Sequence, residues 1–338
     1  MSSPSPTLSV GTVQSLAGKL QLRSKIQSVI GLAIVLVIAL IFSPRNSEGL
    51  VFLDAGNITD ILRQASEIGI LSLAMTFVIL TGGIDLSVGS TLALSSSIVA
   101  LLVTRPLLAG SEFGSIAVAI LAATAATTLV GLANGVVIAR WRIQPFIVTL
   151  AAMIGIRGLA RWLTNNSNID IGFGTDLAST FARTLSTKTV VIGSYVILAV
   201  LFGILLSRTV FGRRVRAIGD NEKAAQYAGL PIRKLKVLVY VISGLLAGYA
   251  GVLHAAQNHQ GSPNAGVTYE LEAIAAVVIG GTSLLGGRGS IAGTIIGTMI
   301  VGVLTNILRL NNVDSNLEMM LKAVIIVTAV WLQQRGKE

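Results

Sequence analysis

The stretch Thr189-Val-Val-Ile-Gly-Ser-Tyr-Val-Ile-Leu-Ala-Val-Leu-Phe-Gly-Ile-Leu-Leu-Ser207 contains no charged residue. It runs directly into Arg208-Thr-Val-Phe-Gly-Arg-Arg-Val-Arg-Ala-Ile-Gly-Asp-Asn221-Glu222-Lys-Ala224-Ala225-Gln-Tyr-Ala-Gly229-Leu-Pro231-Ile-Arg-Lys-Leu-Lys236, which holds eight cations. A helix needs roughly 20 apolar residues to cross the hydrocarbon layer, and a block of Lys and Arg at its end marks the cytoplasmic side. The first stretch therefore reads as a transmembrane helix leaving the bilayer inward, and the second as a cytoplasmic loop.

Outward from this point the same texture repeats. Of 338 residues, 53% are hydrophobic, only 12% are charged and 36 are glycine, with a mean hydropathy of +0.79; a soluble domain carries roughly 25% charged residues. A soluble globular chain is excluded. Apolar runs lie at 26–42, 66–80, 84–103, 114–139, 143–163, 189–207, 237–254, 269–281, 290–308 and 317–332. The expected fold is an all-α integral membrane bundle of about ten helices, some short or broken. Residues 1–25, rich in Ser, read as a flexible cytoplasmic tail, 26–333 as one transmembrane domain and 334–338 as a second short tail. The run at 26–42 lacks a small-residue cleavage site and reads as a retained span.

The net charge of +10 is unevenly spread. With the N-terminal tail inside, the inner side collects Lys19, Arg23, Lys25, Arg140, Arg142, the eight cations of 208–236, Arg288, Arg335 and Lys337. The outer side collects Arg45, Arg63, Arg105, Arg183, Lys188 and Arg309. This asymmetry predicts both termini in the cytoplasm and makes the lipid bilayer, not nucleic acid, the partner of the charge. With no cysteine and two histidines, no disulfide, thiolate site or histidine metal cage is expected, and no cofactor.

Small residues four apart, Gly131/Gly135, Gly244/Gly248 and Gly293/Gly297, permit close helix approach, although glycine is common in membrane helices generally. In Thr81-Gly82-Gly83-Ile84-Asp85-Leu86-Ser87-Val88-Gly89 the glycine pair breaks one helix and lets the next restart. A carboxylate in hydrocarbon costs at least about 2.5 kcal/mol. Asp85 is thus either an N-cap, alone or with Ser87, or a polar group on a pathway. Gly280-Gly281-Thr282-Ser283-Leu284-Leu285-Gly286-Gly287 repeats this string, matching Gly82 with Gly280 and Gly83 with Gly281. Arg157 and Arg161 read as snorkelling or pathway residues, and His254 and His259 as ordinary solvated residues. Lys322 reads as the i, i+4 partner of Glu318.

In the basic loop, Asn221 is placed to cap a helix that opens on Glu222 and stops at Gly229-Leu-Pro231. So short a helix is marginal alone; it either docks against a partner or is a charged loop that only sets orientation. The order Asn221-Glu222-x-Ala224-Ala225-x-x-x-Gly229 resembles the EAA loop of ABC importer permeases. The Gly82 string and Tyr269-Glu270-Leu-Glu272-Ala-Ile-Ala-Ala-Val-Val-Ile-Gly-Gly-Thr-Ser resemble the ribose, xylose and galactose type sugar permeases of that class. Lys223 departs from a strict Glu-Ala-Ala triplet.

The resemblance implies a non-catalytic permease of the bacterial plasma membrane, the inner membrane in a Gram-negative cell. Its implied partners are an ABC ATPase subunit, a second permease copy and a periplasmic or other extracytoplasmic substrate-binding protein. It implies ATPase coupling by Asn221, Glu222, Ala224, Ala225 and Gly229. The helix-break or pathway candidates are Gly82, Gly83, Asp85, Ser87, Gly280 and Gly281. No G-x-x-x-x-G-K-[ST] phosphate loop is present, the Gly-Lys pairs being Gly18-Lys19 and Gly336-Lys337. The alternative is an ion- or proton-coupled transporter acting alone, with Asp85 as the coupling group.

Overall fold

The computed structural model describes residues 27–47, 49–105, 111–174 and 176–335; the proposed tail at 1–25 and most of that at 334–338 lie outside them. Each of the ten apolar runs is a helix or most of one. They are α1 (Gln27–Ile41), α2 (Ala55–Leu80), α3 (Val88–Thr104), α4 (Glu112–Trp141) and α5 (Pro145–Leu163). After a short outlying helix, α6 (Leu177–Leu185), follows α7 (Lys188–Arg208). Then come two short helices, α8 (Val210–Asp220) and α9 (Glu222–Tyr227), and the long α10 (Ile232–Gln257), α11 (Tyr269–Ile279), α12 (Ile291–Leu310) and α13 (Ser315–Arg335). Six of these are long and apolar enough to cross a membrane, and α1 and α3 are shorter apolar helices. The strands are two-residue pieces; Ile169 and Asp170 pair with Gly261 and Gln260 at the end of the bundle away from α8 and α9.

Lipid is as apolar as leucine, so hydrophobicity alone does not draw these helices together: small residues let backbones meet, and large ones such as Phe77, Met75 and Tyr240 fill the core as well as covering the lipid face. The outer face of α7 shows Val196, Ile197, Val200, Leu201 and Ile204, while α2, lined on all sides by other helices, is buried from Ala65 to Leu80. All three glycine pairs lie at contacts. A Cβ on Gly244 would stand 2.3 Å from the Thr127 carbonyl, and one on Gly297 1.9 Å from that of Ala276. Such approaches hold α4 against α10 and α11 against α12.

Three expectations about boundaries need correction. The second helix begins at Ala55, not near residue 66, because its polar first turns are partnered: Asp60 meets Arg63 and Lys188. The basic arms of the 208–236 loop are helical. In α8, Gly212, Val215 and Ile218 are buried at helical spacing while Arg213 and Arg214 face out, and α10 starts at Ile232, five residues before the apolar run. Finally, α2 and α11 end in one conformation that shifts the repeat by a residue. Gly82 (φ +76°) and Gly281 (φ +90°) are the equivalent left-handed positions. In each case the next amide donates back five residues, Gly83 to Val78 and Thr282 to Val277, both at 3.1 Å.

Candidate functional site

The short helix in the basic loop is built by its own caps. The Asn221 side chain accepts a hydrogen bond from the Ala224 amide at 2.9 Å, and Glu222, in the first turn, receives Lys236 of α10 at 2.8 Å. At the other end Gly229 takes φ +75°, its amide donates to Gln226, and that of Leu230 donates to Ala225. This is the same glycine-dependent terminator as in α2 and α11. Ala225 is buried among Ile218, Leu235 and the half-buried Phe211, Leu230 and Ile232. Of the five loop residues singled out from sequence, Ala225 alone faces inward; Asn221, Glu222, Ala224 and Gly229 are exposed. Tyr227, 90% exposed, projects from the same helix.

Directly behind this knuckle, α8 lies on both helix breaks. A Cβ on Gly219 would meet the Leu80 carbonyl at 1.9 Å and the Gly287 amide nitrogen at 2.3 Å; the Gly287 amide itself donates to Leu80 O at 3.0 Å. The end of α2 and the loop that follows α11 are therefore stitched to each other and covered by α8. A cavity of about 320 Å³ opens here, bounded by Gly82, Gly83, Asp220, Asn221, Tyr240 and Leu285. Gly280 lies on the far side of that loop, its position filled by the Gly293 carbonyl of α12.

Asp85 sits one layer deeper, 2% exposed. One carboxylate oxygen accepts from the Ser87 amide at 3.0 Å and its hydroxyl at 2.6 Å, and the other from the Ser243 hydroxyl of α10 at 2.6 Å. The Ser87 oxygen accepts in turn from Asn134 of α4 at 3.0 Å. Ser87 precedes α3 but makes no side-chain cap bond; Asp85 instead ties the break to α3, α4 and α10. Charge-assisted bonds of this kind are what make a buried carboxylate tolerable.

Other sequence readings are revised. The Arg157 guanidinium donates to the carbonyls of Pro263 and Ala265, and Arg161 holds Asn264. His254 is largely buried against Glu67. Lys322 joins Glu318 as expected but also Glu272, at 2.8 Å. Among the described residues no three His, Cys, Asp or Glu gather as metal ligands would. Gly219, Ser243, Asn134 and Tyr240 were not singled out from sequence. Only the polar Ser243 and Asn134, inside apolar runs, carried a local signal.

Broken helices stitched together at one end of an apolar bundle, with a small capped helix projecting beyond them, define a membrane transport permease. The family model described as "Branched-chain amino acid transport system / permease component" matches residues 57–330. The chain belongs to this family, as a permease subunit of an ABC importer and a multi-pass protein of the plasma membrane. It is 41% identical to the ribose import permease protein RbsC of Escherichia coli K12 over 91% of this chain and 93% of that one. The identity is also 41% to RbsC of Bacillus subtilis 168, over 92% and 93%. To the L-arabinose ABC transporter permease protein AraH of Azospirillum brasilense it is 35%, over 98% and 94%. Membership implies an ATPase subunit and a substrate-binding protein as partners; the permease component is not itself catalytic.

Proposed function

We propose that this chain is the sugar-conducting subunit of its importer, working as one of two permease copies, with ribose the solute to test first. In this reading residues 26–333 form ten spans with both termini cytoplasmic, and 208–236 is the coupling loop. The relatives named for ribose and L-arabinose support the substrate class, and the uneven distribution of Lys and Arg supports the orientation.

The observation that carries the mechanism is the contact of Gly219 with Leu80 and Gly287. The ATPase receives α9 through the exposed face bearing Asn221, Glu222, Ala224 and Gly229, with Ala225 anchoring the helix from beneath. Nucleotide-driven closure of the motor displaces α9, and α8 passes the displacement to the ends of α2 and α11. Gly82, Gly83, Gly280 and Gly281 are the joints that yield, while Asp85 and Ser87 hold the restarted helix in register. The bundle then alternates between outward and inward openings as two global states.

The test is uptake in proteoliposomes. Ribose should accumulate only with ATP, the ATPase subunit and the binding protein all present. Accumulation by this chain alone under an imposed ion gradient sinks the proposal in favour of an ion-coupled transporter.

A further inference from the structure

We propose that the groove between α4 and α10, at the end of the bundle that carries α8 and α9, holds one anionic glycerophospholipid as a bound structural ligand. The groove has a volume of about 470 Å³; its floor and flanks include Val136, Val237 and Leu238, and Arg140, Arg233 and Lys234 border it. It exists because Gly135 brings the α10 backbone so close that its would-be Cβ stands 2.8 Å from Val237 Cα. No side chain fills the seam, and Val136 and Leu238, both exposed, form the rims of a furrow open to the membrane.

The composition of the groove selects its occupant. Its interior is hydrocarbon, which suits an acyl chain and gives nothing to a sugar. Its three cations are exposed, and none has a carboxylate partner among the described residues. Trp141, 63% exposed, follows Arg140; an exposed tryptophan at a helix end marks the level where headgroups begin. Apolar walls below and converging cations at that level match a lipid phosphate with its chain descending into the furrow, and basic pockets between transmembrane helices bind anionic headgroups. A zwitterionic lipid offers the same chain, but its cationic headgroup meets three like charges. The proposal rests on the inward placement of α8 and α9 only in naming the inner leaflet as the source of the lipid.

The test titrates the detergent-purified full chain with phosphatidylglycerol and phosphatidylcholine of identical chains, counting bound lipid by native mass spectrometry. Wild type should retain one phosphatidylglycerol per chain, held about tenfold more tightly than phosphatidylcholine. The triple variant Arg140→Gln/Arg233→Gln/Lys234→Gln and, separately, Leu238→Trp, which fills the furrow from an exposed position, should each weaken retention about tenfold. Arg208→Gln/Arg213→Gln/Arg214→Gln, with the same change in charge elsewhere on this face, should leave it unchanged.

Equal affinity for the two lipids in wild type overturns the proposal with no variant needed. So does retention that survives Leu238→Trp, an equal loss in the control variant, or displacement by equimolar glycerol phosphate, which would mark a site for free phosphate. Release of the lipid by the ATPase subunit, with the triple variant failing to bind that subunit, would make the groove a protein-docking surface instead. Because the chain has no native cysteine, a single Glu222→Cys probed in intact cells with a membrane-impermeant thiol reagent reads the orientation separately. Labelling from outside would refute the inward placement while leaving the lipid titration to decide the groove.

Discussion

Ser243 donates its hydroxyl to the Asp85 carboxylate at 2.6 Å, joining the middle of α10 to a helix break 158 residues earlier. Both groups are buried, so the bond locks the start of α3 to α10. Removing one partner of a buried charged hydrogen bond costs about 1.5–3 kcal/mol. Ser243→Ala should lower the thermal stability of the purified chain by an amount in that range. Asp85→Asn keeps an acceptor for Ser87 and a donor to Ser243, and should cost about 1 kcal/mol or less. Thermal unfolding in detergent checks both. Uptake separates the two sequence readings of Asp85: near-full transport by Asp85→Asn fits a tether, and abolished transport with normal assembly fits a group on the pathway.

Gly219 offers a sharper mechanical test. A methyl group there would lie 1.9 Å from Leu80 O and 2.3 Å from Gly287 N, both backbone atoms that cannot rotate away. Gly219→Ala must lift the end of α8 off the helix breaks, while the Asn221 cap, the Gly229 terminator and the Ala225 contacts of α9 with Leu230, Ile232 and Leu235 are left untouched. The expected outcome is a chain that still co-purifies with its ATPase but whose ATP hydrolysis no longer responds to loaded binding protein. Normal stimulation of hydrolysis would show that α8 is not the transmitting element.

At Gly229 space is open, with nothing within 4 Å of a would-be Cβ, and only the backbone angle of +75° restricts the residue. For a residue with a Cβ the left-handed conformation costs roughly 1–2 kcal/mol, with asparagine more tolerant. Gly229→Ala should therefore loosen the terminator of α9 and reduce ATPase association, and Gly229→Asn should restore much of it. Equal loss in both variants would point to the missing side chain, not the angle, as what matters there. Co-purification at matched expression measures the difference.

What sequence could and could not reveal follows from where each signal resides. The apolar runs mark their helices because lipid demands continuous hydrophobicity, which any window along the chain detects. The first turns of α2 escaped because Asp60 and Arg63 look like loop residues until Lys188, far along the chain, is seen beside them. The six-residue α9 was legible from Asn221, Glu222 and Gly229, since caps are local chemistry. The adjoining α8 was obscured by its arginines, although Phe211, Val215 and Ile218 already followed helical spacing. Gly219 was not legible at all. Its importance is a contact with Leu80 and Gly287, and one chain without its fold does not say which glycine meets which carbonyl.

Tyr227 separates a knuckle built to dock from one that only sets charge. It is 90% exposed on a helix whose inward anchor is Ala225. Its large ring adds nothing to the packing of the described chain, so Tyr227→Ala should change thermal stability by no more than about 0.5 kcal/mol. Exposed aromatics that become buried on association are typical anchors, worth about 2 kcal/mol or more. If α9 enters a groove on the motor, the same substitution should weaken ATPase binding by at least about 30-fold, since each 1.4 kcal/mol is a factor of ten. Glu222→Gln provides the contrast. Glu222 shares the exposed face of α9 but is already engaged by Lys236; such pairs contribute about 0.2–1 kcal/mol, so its loss should weaken ATPase binding by no more than about fivefold. An affinity titration of both variants against the ATPase subunit, with melting curves alongside, decides the matter. Unaltered affinity in Tyr227→Ala would leave α9 as part of an orienting basic loop and move the search for the motor contact to α8.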